Sequence, residues 1–187
     1  MTTIQDLFTD AVKNNKIEIA KELIKCKDID ATKPKYIYRA VLKNYIDMCK
    51  LLIDNGADIN HKYRKEKQTL LDICFWEYGY EKICILLVKS GIDLESLDFE
   101  CNTYLHNAAR SDYIELCKVL LEYGLDPTIT NEDGNTASDL ADSSEIKELL
   151  NPKNRIIDEL RREITELQDS KNHLIAENEE LKKKLKA

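Results

Sequence analysis

Apolar positions divide most of the chain into short helical stretches separated by polar turns, and one arrangement keeps returning. In residues 105–128 a first stretch carries Leu105, Ala108 and Ala109 on one face. A polar turn follows, and a second stretch carries Ile114, Cys117, Leu120 and Leu121 at helical spacing. The segment IYRAVLKNYIDMCKLLIDNGADIN (37–60) aligns without a gap on LHNAARSDYIELCKVLLEYGLDPT (105–128) at an offset of 68. Ala40 then meets Ala108, Cys49 meets Cys117 and Gly56 meets Gly124. The offset is two periods of about 34, and the intervening copy lies over 70–95, with Cys84 and Gly91 in the same places. That copy has one extra residue between its apolar runs, which predicts a longer turn near Trp76–Glu81. A weaker copy covers 7–31 and a truncated one 131–150. Glycine closes the second helix of the later units, where the chain needs a left-handed residue. A single unit cannot bury its own apolar face, but stacked neighbours can. The pattern predicts an all-α solenoid with units at about 4–31, 34–66, 67–99, 100–130 and a partial 131–150.

The pattern changes at Asn151-Pro152, which reads as an N-cap followed by a helical N1 proline. Beyond it Leu160, Leu167, Leu174 and Leu181 fall every seven residues, with Ile157, Ile164, Lys171, Asn178 and Leu185 at the partner positions. This is a heptad seam with leucine at d. It predicts a long coiled-coil helix over 152–187 that joins copies of the chain, most simply as a parallel homodimer. Ile at a with Leu at d favours two strands, and Asn at a fixes register. Ile156 and Ile175 widen the stripe, so a trimer stays open. The competing expectation is a helix packed back on its own repeats, but Lys171 and Asn178 suit a dimer seam better than a core.

The stretches NGADIN (55–60), TYLHNAA (103–109) and GNTASDLA (134–141) resemble the ankyrin-repeat pattern, in which T-P-L-H-x-A opens a unit of roughly 33 residues. The resemblance covers about 150 of the 187 residues. The fourth unit keeps Leu-His but has Tyr104 in place of proline, the third has TLLD (69–72), and the second lacks the opening motif. The resemblance implies an ankyrin-type helical solenoid that docks protein partners, with His106 as the structural histidine of the repeat turn. Cys49, Cys84 and Cys117 share one position on the second helix and read as small buried hydrophobes.

Composition narrows the chemistry. The net charge is −7, and residues 152–187 hold 9 basic and 8 acidic residues, so the repeats carry all of the negative excess. An acidic body argues against phosphate-backbone binding, and the place before the zipper lacks the basic helix of zipper-type DNA binders. Phosphate-binding glycine loops and the HExxH metal motif are missing, and His61, His106 and His173 lie far apart. No enzyme, metal or cofactor is expected. No apolar run is long enough to span a membrane. Six cysteines without a CxxC pair read as free thiols in a reducing, cytoplasmic setting, with nuclear entry left open. The basic run HKYRKEK (61–67) reads as a solvated hairpin tip, with contact to an anionic partner as the alternative. Richness in Ile, Lys, Asn and Asp points to an AT-rich genome such as that of a large DNA virus or a protist.

In ankyrin-like stacks partners commonly lie along the first helices and the hairpin tips. Alignment to Asn107 and Arg110 places Arg39, Leu42 and Lys43 of the second unit on that row, with Ile73, Trp76 and Glu77 of the third. The apolar middle, Leu42, Ile73 and Trp76, is the expected centre of a docking groove, flanked by Arg39, Arg110 and the tip at Tyr63 and Arg64. Trp76 could instead turn into the stack or cover the long turn with Tyr78 and Tyr80. Two functions stay open. One is a protein-binding adaptor made bivalent by the coil; the other is an architectural oligomer in which the repeats act as spacers.

Overall fold

The computed structural model describes residues 3–26, 28–63, 68–75 and 79–184. Ten helices run through them: α1 Ile4–Lys13, α2 Ile17–Ile24, α3 Pro34–Leu42, α4 Ile46–Asp54, α5 Leu70–Cys74, α6 Glu81–Lys89, α7 Tyr104–Arg110, α8 Ile114–Glu122, α9 Ser144–Leu149 and α10 Pro152–Lys184. Among the described residues there is no strand, only isolated bridges pairing Tyr63 with Gln68 and Thr130 with Thr136. Helices pair α1–α2, α3–α4, α5–α6 and α7–α8. First helices stack in series from α1 to α3 to α5, and second helices from α2 through α4 and α6 to α8.

Local chemistry sets most helix boundaries. Thr3, Thr69 and Thr103 cap α1, α5 and α7, each in a reciprocal box with the residue three positions on, Asp6, Asp72 and His106. At the other end, the amide of the second residue past the C-cap reaches back five residues. Tyr45 N–H bonds the Ala40 carbonyl at 2.9 Å, Tyr113 N–H that of Ala108 at 3.0 Å and Ala57 N–H that of Leu52 at 3.0 Å. This closure forces a left-handed residue between. Asn15, Asn44 and Asp112 supply it after the first helices at φ 54°, 54° and 57°, and Gly56, Gly91 and Gly124 after the second. Asn and Asp tolerate that conformation because their short side chains bond locally. The third unit uses Gly79 at φ 84°, and six residues separate α5 from α6 where three separate α7 from α8. One of the three extra positions is the added residue; the other two come from α5, which is two residues shorter than α7.

The core runs the length of the stack. Phe8, Tyr36, Ile37, Met48, Leu52, Leu70, Leu71, Ile83, Leu87, Leu105, Leu116 and Leu120 are fully or almost fully buried. Tyrosine hydroxyls stitch the seams between units, because a buried phenol needs a polar partner. Tyr104 Oη lies 2.9 Å from Thr69 Oγ1, and Tyr80 Oη donates to the Leu42 carbonyl at 3.0 Å. Tyr104, which stands where the repeat pattern prefers proline, therefore ties the fourth unit to the cap of the third. In the fifth unit Thr136 and Asp139 form the same reciprocal contacts as a capping box, yet only turns follow. Ala137, Ala141, Ile146 and Leu150 bury themselves against the open end of the stack.

Asn151 Oδ1 accepts the Lys153 N–H at 3.0 Å and starts α10 as an N-cap. Along α10, Ile157, Leu160, Ile164, Leu167 and Leu174 are 45%, 52%, 54%, 69% and 57% exposed, so nothing among the described residues covers the stripe. Lys171 and Asn178 share that exposed face, while the Leu181 side chain and all of Leu185 lie outside the described residues.

Candidate functional site

The hairpin between the third and fourth units turns on Asp98. Its Oδ1 accepts the N–H groups of Glu100 and Asn102 at 3.0 and 2.9 Å, and its Oδ2 accepts Nδ2 of Asn102 and Asn107, both at 3.1 Å. Partial burial alone would raise the Asp98 carboxyl, but these donors outweigh it and hold the group below the usual value of 3.8. Cys101 completes the turn at φ 58°, where the next hairpin has Gly134 at 81°. The tip is further locked to that hairpin. Asn131 Nδ2 donates to Asn102 Oδ1 at 2.9 Å, and Glu132 N–H to the Glu100 carbonyl at 3.0 Å.

This fixed tip forms one wall of a groove of about 500 Å³. Thr69, Asp72 and Phe75 line it from the third unit, Ser96, Leu97 and Phe99 from the hairpin, and Asn107 and Arg110 from α7. Phe99 is 82% exposed and Leu97 56%. The cations at the groove are engaged. Lys62 Nζ meets Ser96 Oγ at 2.9 Å and Asp93 at 3.8 Å, while Arg110 pairs with Glu100 at 3.2 Å and donates to Asn107 Oδ1 at 2.5 Å.

The expected docking row divides on inspection. Arg39, Leu42, Lys43 and Arg110 are exposed. Two residues placed on the open row from the alignment, Ile73 and Asn107, are buried, and so is Tyr63, expected at the flanking tip. Ile73 is 1% exposed, because α5 has only five residues and Leu70, Leu71, Ile73 and Cys74 all face apolar neighbours. Asn107 occupies the equivalent position of α7 and is 6% exposed, roofed by the hairpin through Asp98. Tyr63 is 9% exposed; its hydroxyl donates to the Pro34 carbonyl at 3.0 Å and its ring lies 4.7 Å from that of Tyr38. It anchors the second hairpin instead of presenting a free side chain. Arg64, Trp76 and Glu77 lie outside the described residues.

Sequence reasoning missed Phe75, Leu97 and Phe99. One signal was available: Phe99 aligns with Glu132, so an aromatic residue stands where the next copy of the same turn is acidic.

The remaining candidate chemistry is structural. His106 is 1% exposed, takes the Thr103 N–H on Nδ1 at 3.2 Å and reaches the Asn135 carbonyl with Nε2 at 3.0 Å. Burial pushes the Cys49 and Cys117 thiols up to about 12. Burial also raises Cys74, helped by its hydrogen bond with Cys84. Among the described residues no cluster of His, Cys, Asp or Glu could hold a metal ion, and no helix is long and apolar enough to cross a membrane.

Repeated helix pairs with capped starts, left-handed closures and hairpins between units match a known family. Its description, Ankyrin repeats (3 copies), fits residues 7–98 and 38–131. The chain belongs to the ankyrin-repeat family. It is 34% identical over 106 residues to Ankyrin repeat and SOCS box protein 6 of Pongo abelii, covering 54% of this chain and 25% of that one. It is 28% identical over 137 residues to the Nuclear factor NF-kappa-B p105 subunit of Gallus gallus, covering 63% and 14%. A Fowlpox virus (strain NVSL) protein named for its ankyrin repeats is 31% identical over 124 residues, covering 62% and 36%. The chain thus spans about a quarter of the first of these relatives. The matched ankyrin region ends at residue 131, before α10 begins.

Proposed function

We propose that this ankyrin-repeat chain is a non-enzymatic protein-docking module, made bivalent by self-association of α10. Ankyrin repeats are interaction modules, and that much follows from the family. The finer reading rests on one observation: large apolar side chains stand in solvent both at the groove of the third hairpin and along α10. Exposed apolar patches tend to mark interaction sites. The partner surface runs along Arg39, Leu42 and Lys43 to the groove at Arg110, with Asn107 holding the Arg110 guanidinium from below. The α10 seam uses Ile157, Leu160, Ile164, Leu167, Lys171, Leu174 and Asn178 in a parallel pair. At about 1.5 Å per residue it is a rod on the order of 50 Å long, with both repeat stacks at its Asn151 end. A partner that is itself multivalent would engage both stacks and dissociate more slowly than from either alone.

The test compares wild type with the full chain carrying Leu167→Glu and Leu174→Glu. Light scattering should give twice the 21.7 kDa chain mass for wild type and a single chain for the variant. Circular dichroism should show the repeats still folded. Wild type monomeric at high micromolar concentration would end the coiled-coil reading. If the monomeric variant captures none of the wild-type partners, the architectural reading replaces the docking one.

A further inference from the structure

We infer that the third hairpin takes a partner segment that sets a bulky apolar side chain against Leu97 and Phe99 and places Lys or Arg over Glu100, Glu132 and Asp133; this rests on the docking reading above. The tip geometry does not call for an aromatic residue. The following hairpin builds the same turn, with Asn131 in the place of Asp98, Gly134 in that of Cys101 and Glu132 in that of Phe99. Phe99 is nevertheless 82% exposed and Leu97 56%, so both leave most of their apolar surface in water. The backbone that carries them is locked by the four bonds to Asp98 and by the Asn131–Asn102 and Glu132–Glu100 contacts. An exposed anchor on a fixed backbone is pre-organised, since little ordering entropy remains to be lost when a partner arrives. Phe75 and the groove beside it supply depth for the partner's own apolar side chain.

Charge decides what flanks that side chain. The Glu132 N–H to Glu100 carbonyl bond brings the third and fourth tips side by side, so Asp98, Glu100, Glu132 and Asp133 share one surface. Arg110 answers Glu100 at 3.2 Å, and neither Glu132 nor Asp133 has an ion-pair partner among the described residues. The excess is negative on this side of Phe99. An acidic or phosphorylated segment would be repelled there, and a basic one steered in.

The experiment pans a random 12-residue peptide library on phage against the immobilised full-length chain and measures the enriched peptides by fluorescence anisotropy. The expected peptides carry one large apolar residue followed or preceded by Lys or Arg. Phe99→Ala, at a site too exposed to support the fold, should weaken them about tenfold or more. Glu132→Lys with Asp133→Lys should weaken them comparably, and raising salt from about 0.05 to 0.5 M should weaken wild-type binding. Enriched peptides that are acidic or neutral, yet lost on Phe99→Ala, overturn the basic-partner inference and leave the docking groove standing. Peptides that bind the Phe99→Ala variant undiminished overturn the assignment of this hairpin. A library with no enrichment over blank beads overturns both this inference and the docking reading.

Discussion

His106 offers the sharpest test of how the stack is held together, because its two ring nitrogens do separable jobs. Nδ1 accepts from Thr103 N–H at 3.2 Å and lies 2.8 Å from Thr103 Oγ1, closing the cap of α7. Nε2 therefore carries the proton and donates to the Asn135 carbonyl at 3.0 Å, tying the fourth unit to the fifth. Truncation to alanine orphans the Thr103 N–H, which is buried and has no other acceptor among the described residues, at about 1–3 kcal/mol. The Asn135 carbonyl keeps the Asn131 N–H at 2.9 Å, so there only one bond is lost, about 1 kcal/mol. With the cavity left by the ring, His106→Ala should cost about 3–4 kcal/mol. His106→Asn retains an acceptor for Thr103 N–H, as Asp72 does for Thr69 at 2.7 Å, and gives up only the Asn135 link. It should cost about 1 kcal/mol. Urea unfolding followed by circular dichroism reads the two values. Hydrogen exchange over 131–150 reads the loosened end, since a repeat array need not unfold in one step. Equal losses in the two variants would place the energy in the inter-unit bond and refute the capping role. A loss below about 1 kcal/mol for alanine would refute both.

Asp6, Asp30, Asp98 and Asp139 are all held below the usual 3.8, the outer three chiefly by bonds from Thr3, Thr32 and Thr136 and Asp98 by donors that outweigh its burial. The unfolded chain takes up these protons first, so their contribution is intact above about pH 5 and is lost as pH falls through the unfolded and then the folded values. Asp98→Asn should flatten that acid limb in urea melts between about pH 5 and 2, and an unchanged slope would contradict the assignment. Cys26 and Cys101 are exposed while Cys49, Cys74, Cys84 and Cys117 are buried, so a thiol reagent near neutral pH should label two sites quickly and the other four only after denaturation. Fast labelling of Cys49 or Cys117, read by mass spectrometry, would show that the second helices are not packed as described.

The rigid and the open parts of the molecule have different chemical origins. Several helix ends are satisfied locally: the starts of α1, α5 and α7 by threonine boxes, and the ends of α1, α3, α4, α6, α7 and α8 by left-handed closures. Large apolar side chains nevertheless stand open at Leu42, at 37%, at Leu97 and Phe99, and along the α10 stripe.

The elements and their order are legible in the chain alone. The 3.6-residue periodicity marks the buried faces, and the caps at Thr69, Thr103 and Asn151 act within three residues of themselves. The closures at Asn44, Asp112, Gly56 and Gly124 are equally local, so all can be read without knowing what packs on them. The heptad at Leu160, Leu167 and Leu174 is legible for the same reason. Which first-helix and tip positions are covered depends on packing between units. Asn107 and Ile73 occupy one place in the repeat, and both are buried because first-helix positions are closed over by hairpins and neighbours distant in sequence. Tyr63 turns inward because the Pro34 carbonyl, 29 residues away, offers its hydroxyl an acceptor. Phe99 stays outside although it is apolar, because its backbone is pinned by Asp98, Asn102 and Asn131 and, among the described residues, no neighbouring unit covers its side chain.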